Sequence, residues 1–209
     1  MKATIVIVSL VIIIILISGI YAVTKAKTET RKYQVITTRG NFEIRFYPEA
    51  ILATVKINGT YDNSKNSGFG VLAGYIFGGN AENTKIAMTA PVSMSVGDNT
   101  NTMSFVMPAE WKLETLPTPQ NNNILLHKSE KRYTASVRFS GYANDAQIRK
   151  HKEELIEILG KLNLSHNGEF EFLGYNSPFQ PVNRRNEIQV ELTEFNPDLF
   201  DESDNDPVL

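Results

Sequence analysis

Residues 53–61 read ATVKINGTY and residues 135–143 read ASVRFSGYA, so the chain states one pattern twice. Ala53, Val55 and Gly59 match Ala135, Val137 and Gly141 at one constant offset. Each copy is an alternating stretch closed by a glycine, the signature of a strand running into a turn. Each is followed by helical apolar spacing. Thr89-Ala90-Pro91 then answers Asn176-Ser177-Pro178, and NTMSFV at 101–106 answers NEIQVE at 186–191. Strand, helix, strand, strand therefore occurs twice. Two such units are too few for a solenoid. They can bury their faces against each other, and ligand sites favour the junction of two units.

The 209 residues suffice for one domain and an appendage. Residues 33–193 are the expected domain, large enough for a core without staples. The chain has no cysteine, which excludes disulfides, thiolate metal sites and cysteine nucleophiles. A net charge of −2 argues against nucleic acid as a partner. His127, His151 and His166 are scattered without metal-ligand spacing, so no metal site is expected.

Thr4 to Val23 carries no charge and is rich in Ile, Val and Leu. Twenty such residues in a helix reach about 30 Å, the hydrocarbon thickness of a bilayer. A cleavable signal peptide is the alternative, but its apolar core runs to only about 7–15 residues. The stretch Ser18-Gly19-Ile20-Tyr21-Ala22 is also a poor cleavage site. An uncleaved single-pass anchor over residues 1–23 is expected. Lys2 precedes the span and Lys25, Lys27, Arg31 and Lys32 follow it, which favours a cytoplasmic-facing domain. A short tail with one lysine is also how exported anchored proteins begin, so the side stays open. Residues 24–32 read as a polar tether. Residues 194–209 hold six acidic residues and no basic one, the composition of a disordered tail.

Within the domain, Tyr33 to Thr37, Phe42 to Phe46 and Ile51 to Ile57 alternate as strands joined by short turns, consistent with antiparallel hairpins. The spacing predicts a first helix within 62–78, capped by Asp62 or Asn63, with Phe69, Leu72, Ala73 and Ile76 on its apolar stripe. Gly68, Gly70 and Gly74 lie in or beside that helix at about 1 kcal/mol each. They imply close approach, by a neighbouring strand or by a flat ligand. A second helix is predicted over 145–160, with Asn144 and Gln147 as its cap and Ile148, Leu155, Leu159 and Leu162 as its stripe.

Several long motifs resemble one family. GYIFGGN at 74–80 followed by KIAMTAPV at 85–92 looks like the signature of the SOUL heme-binding family, GYNSPFQPVNRRNEIQVEL at 174–192 resembles its C-terminal signature, and FEIRFYPEAILATV at 42–55 its opening. The resemblance covers residues 33–192. It implies an α+β fold of duplicated βαββ units, forming a distorted antiparallel β-barrel flanked by two helices, akin to the effector-binding domains of drug-sensing transcription factors. It also implies heme or another porphyrin, bound without a covalent bond in an apolar cleft beside the first helix. Some members carry a histidine in the motif E-I-R-H-Y. Phe46 stands at that position here, so an apolar cleft with cations for the propionates is the expected mode. The wall would use Phe46, Phe69, Leu72, Ala73, Ile76 and Met88, and the cations would be Lys65, Lys85, Arg184 and Arg185.

The expected function is a membrane-anchored, non-catalytic tetrapyrrole-binding protein acting as a monomer. One alternative is a general sensor or carrier of apolar small molecules, cations or drugs, resembling the drug-effector-binding domains; such pockets usually need a buried carboxylate, for which Glu43 and Glu187 are the available strand acids. Another is a small hydrolase, which neither a GxSxG motif nor a sequence-adjacent histidine supports.

Overall fold

The computed structural model describes residues 28–97, 100–177, 180 and 182–199. The expected anchor at 1–23 and the acidic stretch from residue 200 lie outside them. Among the described residues no helix is long and apolar enough to cross a membrane.

The elements are β1 (Glu29–Thr30), β2 (Gln34–Arg39), β3 (Phe42–Tyr47), β4 (Ala50–Asn58), α1 (Tyr61–Ile76), β5 (Thr89–Ala90), β6 (Val92–Ser95), β7 (Thr100–Val106), β8 (Ile124–Ser129), β9 (Arg132–Phe139), α2 (Asp145–Lys161), β10 (His166–Gly174) and β11 (Asn186–Leu192). Nine strands form one antiparallel sheet in the order β2-β3-β9-β11-β10-β6-β7-β4-β8, while β1 pairs in parallel with β5. Apart from the additional edge strand β2, the order is symmetric about the β10–β6 pair. Each repeat contributes a leading strand, then strand, helix, strand, strand.

The leading strands are exchanged. β3 precedes β4 in the chain but pairs with β9 of the second repeat, and β8 precedes β9 but pairs with β4 of the first. The sequence-based expectation of hairpins therefore holds for β2 and β3, joined across Gly40, and not for β3 and β4. Pro48 and Glu49 carry the chain between halves. Nor is the barrel closed: β2 and β8 end the sheet without pairing to each other. Arg31, in the segment before β2, reaches the Pro48 carbonyl at 3.5 Å and Ser129 Oγ at the end of β8 at 3.3 Å through Nη2. Residues 29–32, read from the sequence as tether, include β1, and the Arg31 amide donates to the Ala90 carbonyl at 2.8 Å.

Both glycine turns have left-handed backbones, Gly59 at φ 94° and Gly141 at φ 86°, which L side chains rarely adopt. Asn101 Nδ2 donates to the Gly59 carbonyl at 2.8 Å, and Asn186 Nδ2 to the Gly141 carbonyl at 2.8 Å. The same asparagine closes the same turn in both repeats.

Sheet alternation sorts the two faces. Phe42, Ile44, Ala135, Val137, Ile188 and Val190 point to one face and form the core beneath the helices. Leu72 and Ile76 of α1 and Leu155 and Leu159 of α2 seal it. The helices begin beside each other and cap each other. The Asp145 amide donates to Asp62 Oδ2 at 3.0 Å, while the Thr60 hydroxyl donates to Asp145 Oδ2 at 2.6 Å and the Asp62 amide to Oδ1 at 3.4 Å. Asp62 thus serves the partner helix rather than its own, whose N-cap is Thr60. On α2 the Asn144 side chain accepts from the Gln147 amide, as its sequence implies.

Candidate functional site

The opposite face of the sheet is polar and still buried. Arg45 meets Glu187 through Nη1–Oε2 at 2.6 Å and Nη2–Oε1 at 3.0 Å, and its Nε donates to Glu43 Oε2 at 2.7 Å. Arg185 Nε donates to Glu187 Oε1 at 2.8 Å and its Nη2 to the Tyr33 hydroxyl at 2.7 Å. Tyr175 donates to Glu187 Oε2 at 2.9 Å. The side chains of Arg45 and Glu187 are 1% and 0% exposed. Burial opposes ionisation of Glu187, but hydrogen bonding and charge from Arg45, then Arg185, outweigh it and hold the carboxyl below its ordinary range. Burial raises the Tyr175 hydroxyl, and the Glu187 charge raises it further. Two guanidinium groups already neutralise this carboxylate, so it presents no free negative charge to a cation.

Helix α1 is unlike α2 in its glycines. A Cβ on Gly68 would lie 2.8 Å from Ile57 Cγ2 and 3.3 Å from Met103 Sδ, so this glycine exists to let helix and sheet touch. Gly70 and Gly74 are different. Both are exposed, and a Cβ on either meets nothing within 4 Å. They sit one turn apart on a helix face with no side chains, continued by exposed Asn66 and by Phe77, which is 66% exposed. The chain then turns back: the Ile86 amide donates to the Ile76 carbonyl at 2.8 Å, which sets exposed Lys85 at the same end of α1. Asn80 fixes that turn through the Tyr75 and Thr84 carbonyls and the Thr84 amide.

The ten residues expected to line a ligand do not converge. Leu72 and Ile76, at 0% and 1% exposure, and Ala73 face the core and are covered by the sheet. Phe69 packs on Phe105 at 5.3 Å between ring centroids. Phe46 lies in the half of the sheet covered by α2, 5.1 Å from the Tyr133 ring. Met88 is half-buried against the core. Lys65 pairs with Asp62 at 2.8 Å. Arg184 donates through Nη1 to the Ser177 and Gln180 carbonyls, and Arg185 belongs to the Glu187 network. Only Lys85 stands open beside the bare face of α1. The apolar stripe is legible in the sequence, but a stripe marks burial, and here the sheet takes it. Of the three glycines that imply close approach, Gly68 meets the sheet while Gly70 and Gly74 meet no described residue, and Phe77 beside them is the residue that stripe reasoning passes over. The signal of Gly70 and Gly74 is glycine in a helix on the side away from the stripe.

The histidines are all engaged in local contacts. His151 stacks on Phe139 at 4.2 Å and its Nδ1 lies 2.6 Å from Glu154. His166 Nδ1 accepts from the Gly168 amide. His127 Nε2 lies 3.0 Å from Thr54 Oγ1, which is 2.7 Å from Ser104 Oγ. That chain pairs a hydroxyl with an imidazole, yet neither Thr54 nor His127 lines the cavity of about 450 Å3 beside β1 or the smaller one beside the start of α2. No cluster of metal-binding side chains occurs among the described residues.

Two βαββ repeats with exchanged leading strands, paired helices on one face and a neutralised polar network on the other define a duplicated α+β domain. The sequence profile described as SOUL heme-binding protein matches residues 28–191, and the chain belongs to this family. It is similar to heme-binding protein 2 of Mus musculus, 31% identical over 159 residues that cover 71% of this chain and 77% of the relative. Its fold is shared with the C-terminal domain of EcmrR, at a TM-score of 0.56 and 11% identity over 78% of this chain and 99% of that one. It is also shared with a hydrolase from Listeria innocua, at a TM-score of 0.54 and 11% identity over 81% and 96%.

Proposed function

We propose that the protein binds heme or another tetrapyrrole non-covalently against the bare face of α1, is held to a membrane by residues 4–23, and performs no reaction of its own. The observation that carries the site is the pair Gly70 and Gly74. Each costs about 1 kcal/mol of helix stability, and no packing among the described residues requires it. A flat ring can lie on such a surface at backbone distance. Phe77 offers an aromatic edge, and Lys85 a cation for a propionate at the same end. Each Å2 of apolar area removed from water stabilises by roughly 25 cal/mol before association costs. Family membership and the heme-binding names of the relatives support the ligand class. The apolar length of residues 4–23 supports the anchor.

The sensor of apolar cations loses support from the Arg45–Glu187–Arg185 arrangement, because its carboxylate is already paired. The likeness to a hydrolase is one of fold alone.

Titration of the full-length protein with iron protoporphyrin and with iron-free protoporphyrin tests the reading. Both should shift the Soret band, since no histidine is placed to coordinate iron here. Gly74→Leu should keep the fold and weaken both about tenfold, because the side chain stands where the ring lies. Replacing His127, His151 and His166 together should leave affinity within a few-fold. Absence of a shift with either porphyrin overturns the proposal. For the anchor, extraction without detergent, or a mature N-terminus beginning after Ala22, overturns it.

A further inference from the structure

A cavity of about 450 Å3 lies away from α1. Its walls come from β1 and the residues after it, the turn between β3 and β4, the end of β7 and the loop that follows, and one residue of β8. Ile51, Val106, Met107, Pro108 and Trp111 make an apolar wall. Four cations, Arg31, Lys32, Lys112 and Lys128, stand around it with Glu29, Glu49 and Glu114. None of these seven is in an ion pair with another described residue. Glu29 instead accepts the Ala109 amide at 3.1 Å.

Arg31 is the unusual member. It reaches the neutral oxygens of Pro48 and Ser129 through one nitrogen, at 3.5 and 3.3 Å, and its buried Nε has no hydrogen-bond partner. Its guanidinium lies over the Tyr47 ring at 4.7 Å. Burial, and then the charge of Arg132, hold it below its ordinary pKa. No described carboxylate lies within ion-pair distance of Arg31, and the nearby negative charge that favours it, Glu171, is already bonded to Arg132 at 2.7 Å, so an arriving anion would relieve a half-buried cation. Arginine matches a carboxylate with two parallel donors.

We propose that this cavity is a second ligand site, for a small molecule with an apolar body and a single carboxylate, the body against Trp111 and Met107 and the carboxylate at Arg31. The volume falls in the ordinary range of ligand pockets, roughly 300–1,000 Å3. The shared chemistry covers an acyl-chain acid and an arylalkyl acid. The site does not depend on tetrapyrrole binding at α1.

Trp111 is the only tryptophan in the chain, so intrinsic tryptophan emission reports this cavity. The full-length protein is titrated with octanoate and with 3-phenylpropionate, and each is compared with its neutral amide. At least one acid should change the emission saturably and bind about tenfold tighter than its amide, the size expected of a charge-assisted contact. Saturation by octanoate alone assigns an acyl chain; by 3-phenylpropionate alone, an aromatic one. Arg31→Gln should erase the acid-over-amide preference. Should that variant fail to fold, Ala109→Phe, a change of an exposed lining residue, should block both acids at unchanged circular dichroism. Lys85→Gln should have no effect. Equal binding of acid and amide, or no saturable change in the folded protein, overturns the proposal.

Discussion

Arg45 and Glu187 face each other through two parallel hydrogen bonds, at 2.6 and 3.0 Å, and join the leading strand of the first repeat to the last strand of the second. β3 and β11 are not neighbours in the sheet, since β9 lies between them. The ion pair therefore bridges a strand and ties the exchanged strand to the repeat that receives it. Breaking a buried pair by removing one partner strands the other's charge, at about 3–5 kcal/mol. Glu187→Leu should lose stability of that order in urea unfolding, because Arg45 loses both bonds of its bidentate pair and keeps only the partly exposed Glu43, while Arg185 keeps only the Tyr33 hydroxyl. A loss below about 1 kcal/mol would mean that water or another group replaces the carboxylate.

The same carboxylate sets an acid limit. Its folded pKa is depressed, so its contribution is complete above the unfolded carboxyl pKa and is lost as pH falls through the folded value. Glu154, lowered by bonds from Asn41 and His151 against the opposing effect of burial, acts in the same direction near the surface. Melting temperature should be flat from neutral pH to about pH 5 and fall below it. In Glu187→Gln the fall should be shallower. An identical slope in both proteins would remove Glu187 from the account.

Glycines of α1 should divide by face. Gly70→Ala and Gly74→Ala should each raise stability, by up to about 1 kcal/mol, because alanine is the better helix former and open space receives its methyl group. Gly68→Ala should lower it by about 1–3 kcal/mol, because its Cβ would press on Ile57 at 2.8 Å. Thermal melts of the three variants decide this. Loss of stability at Gly74 would show that its face is covered.

The duplicated turns should respond in parallel. Asn101→Ala and Asn186→Ala each leave a glycine carbonyl without its donor, at about 1–3 kcal/mol. Asn101 should cost more, since it also accepts from the Gly97 amide at 2.7 Å and donates to the Gly97 carbonyl at 3.1 Å. Equal unfolding curves for wild type and either variant would show the bond to be dispensable.

The first pair of helices shows what sequence reasoning reaches and where it stops. Both lie within a residue or two of the expected limits, because 3.6-residue apolar spacing is a local property. Asn144 caps α2 as expected for the same reason. Asp62 does not cap its own helix, because Thr60 holds the N-cap position and Asp62 is already the second residue inside α1, where its carboxylate accepts from the Asp145 amide of the other helix. Leu72 and Ile76 were legible as a stripe but not as the covered side, since a stripe is the same whether a sheet or a ligand fills it.

By itself the sequence determined the duplication, the two glycine turns, the helix positions and the alternation that sorts each strand into an apolar and a polar face. These rest on backbone geometry and spacing within a few residues. Only the tertiary structure decided that β3 and β8 change places between repeats, that the sheet stays open, and that Tyr33, Arg45, Tyr175, Arg185 and Glu187 close into one buried network. Strand pairing and buried ion pairs join residues far apart in the chain, and strand periodicity of 2 sets which face a side chain takes without naming the strand it will meet.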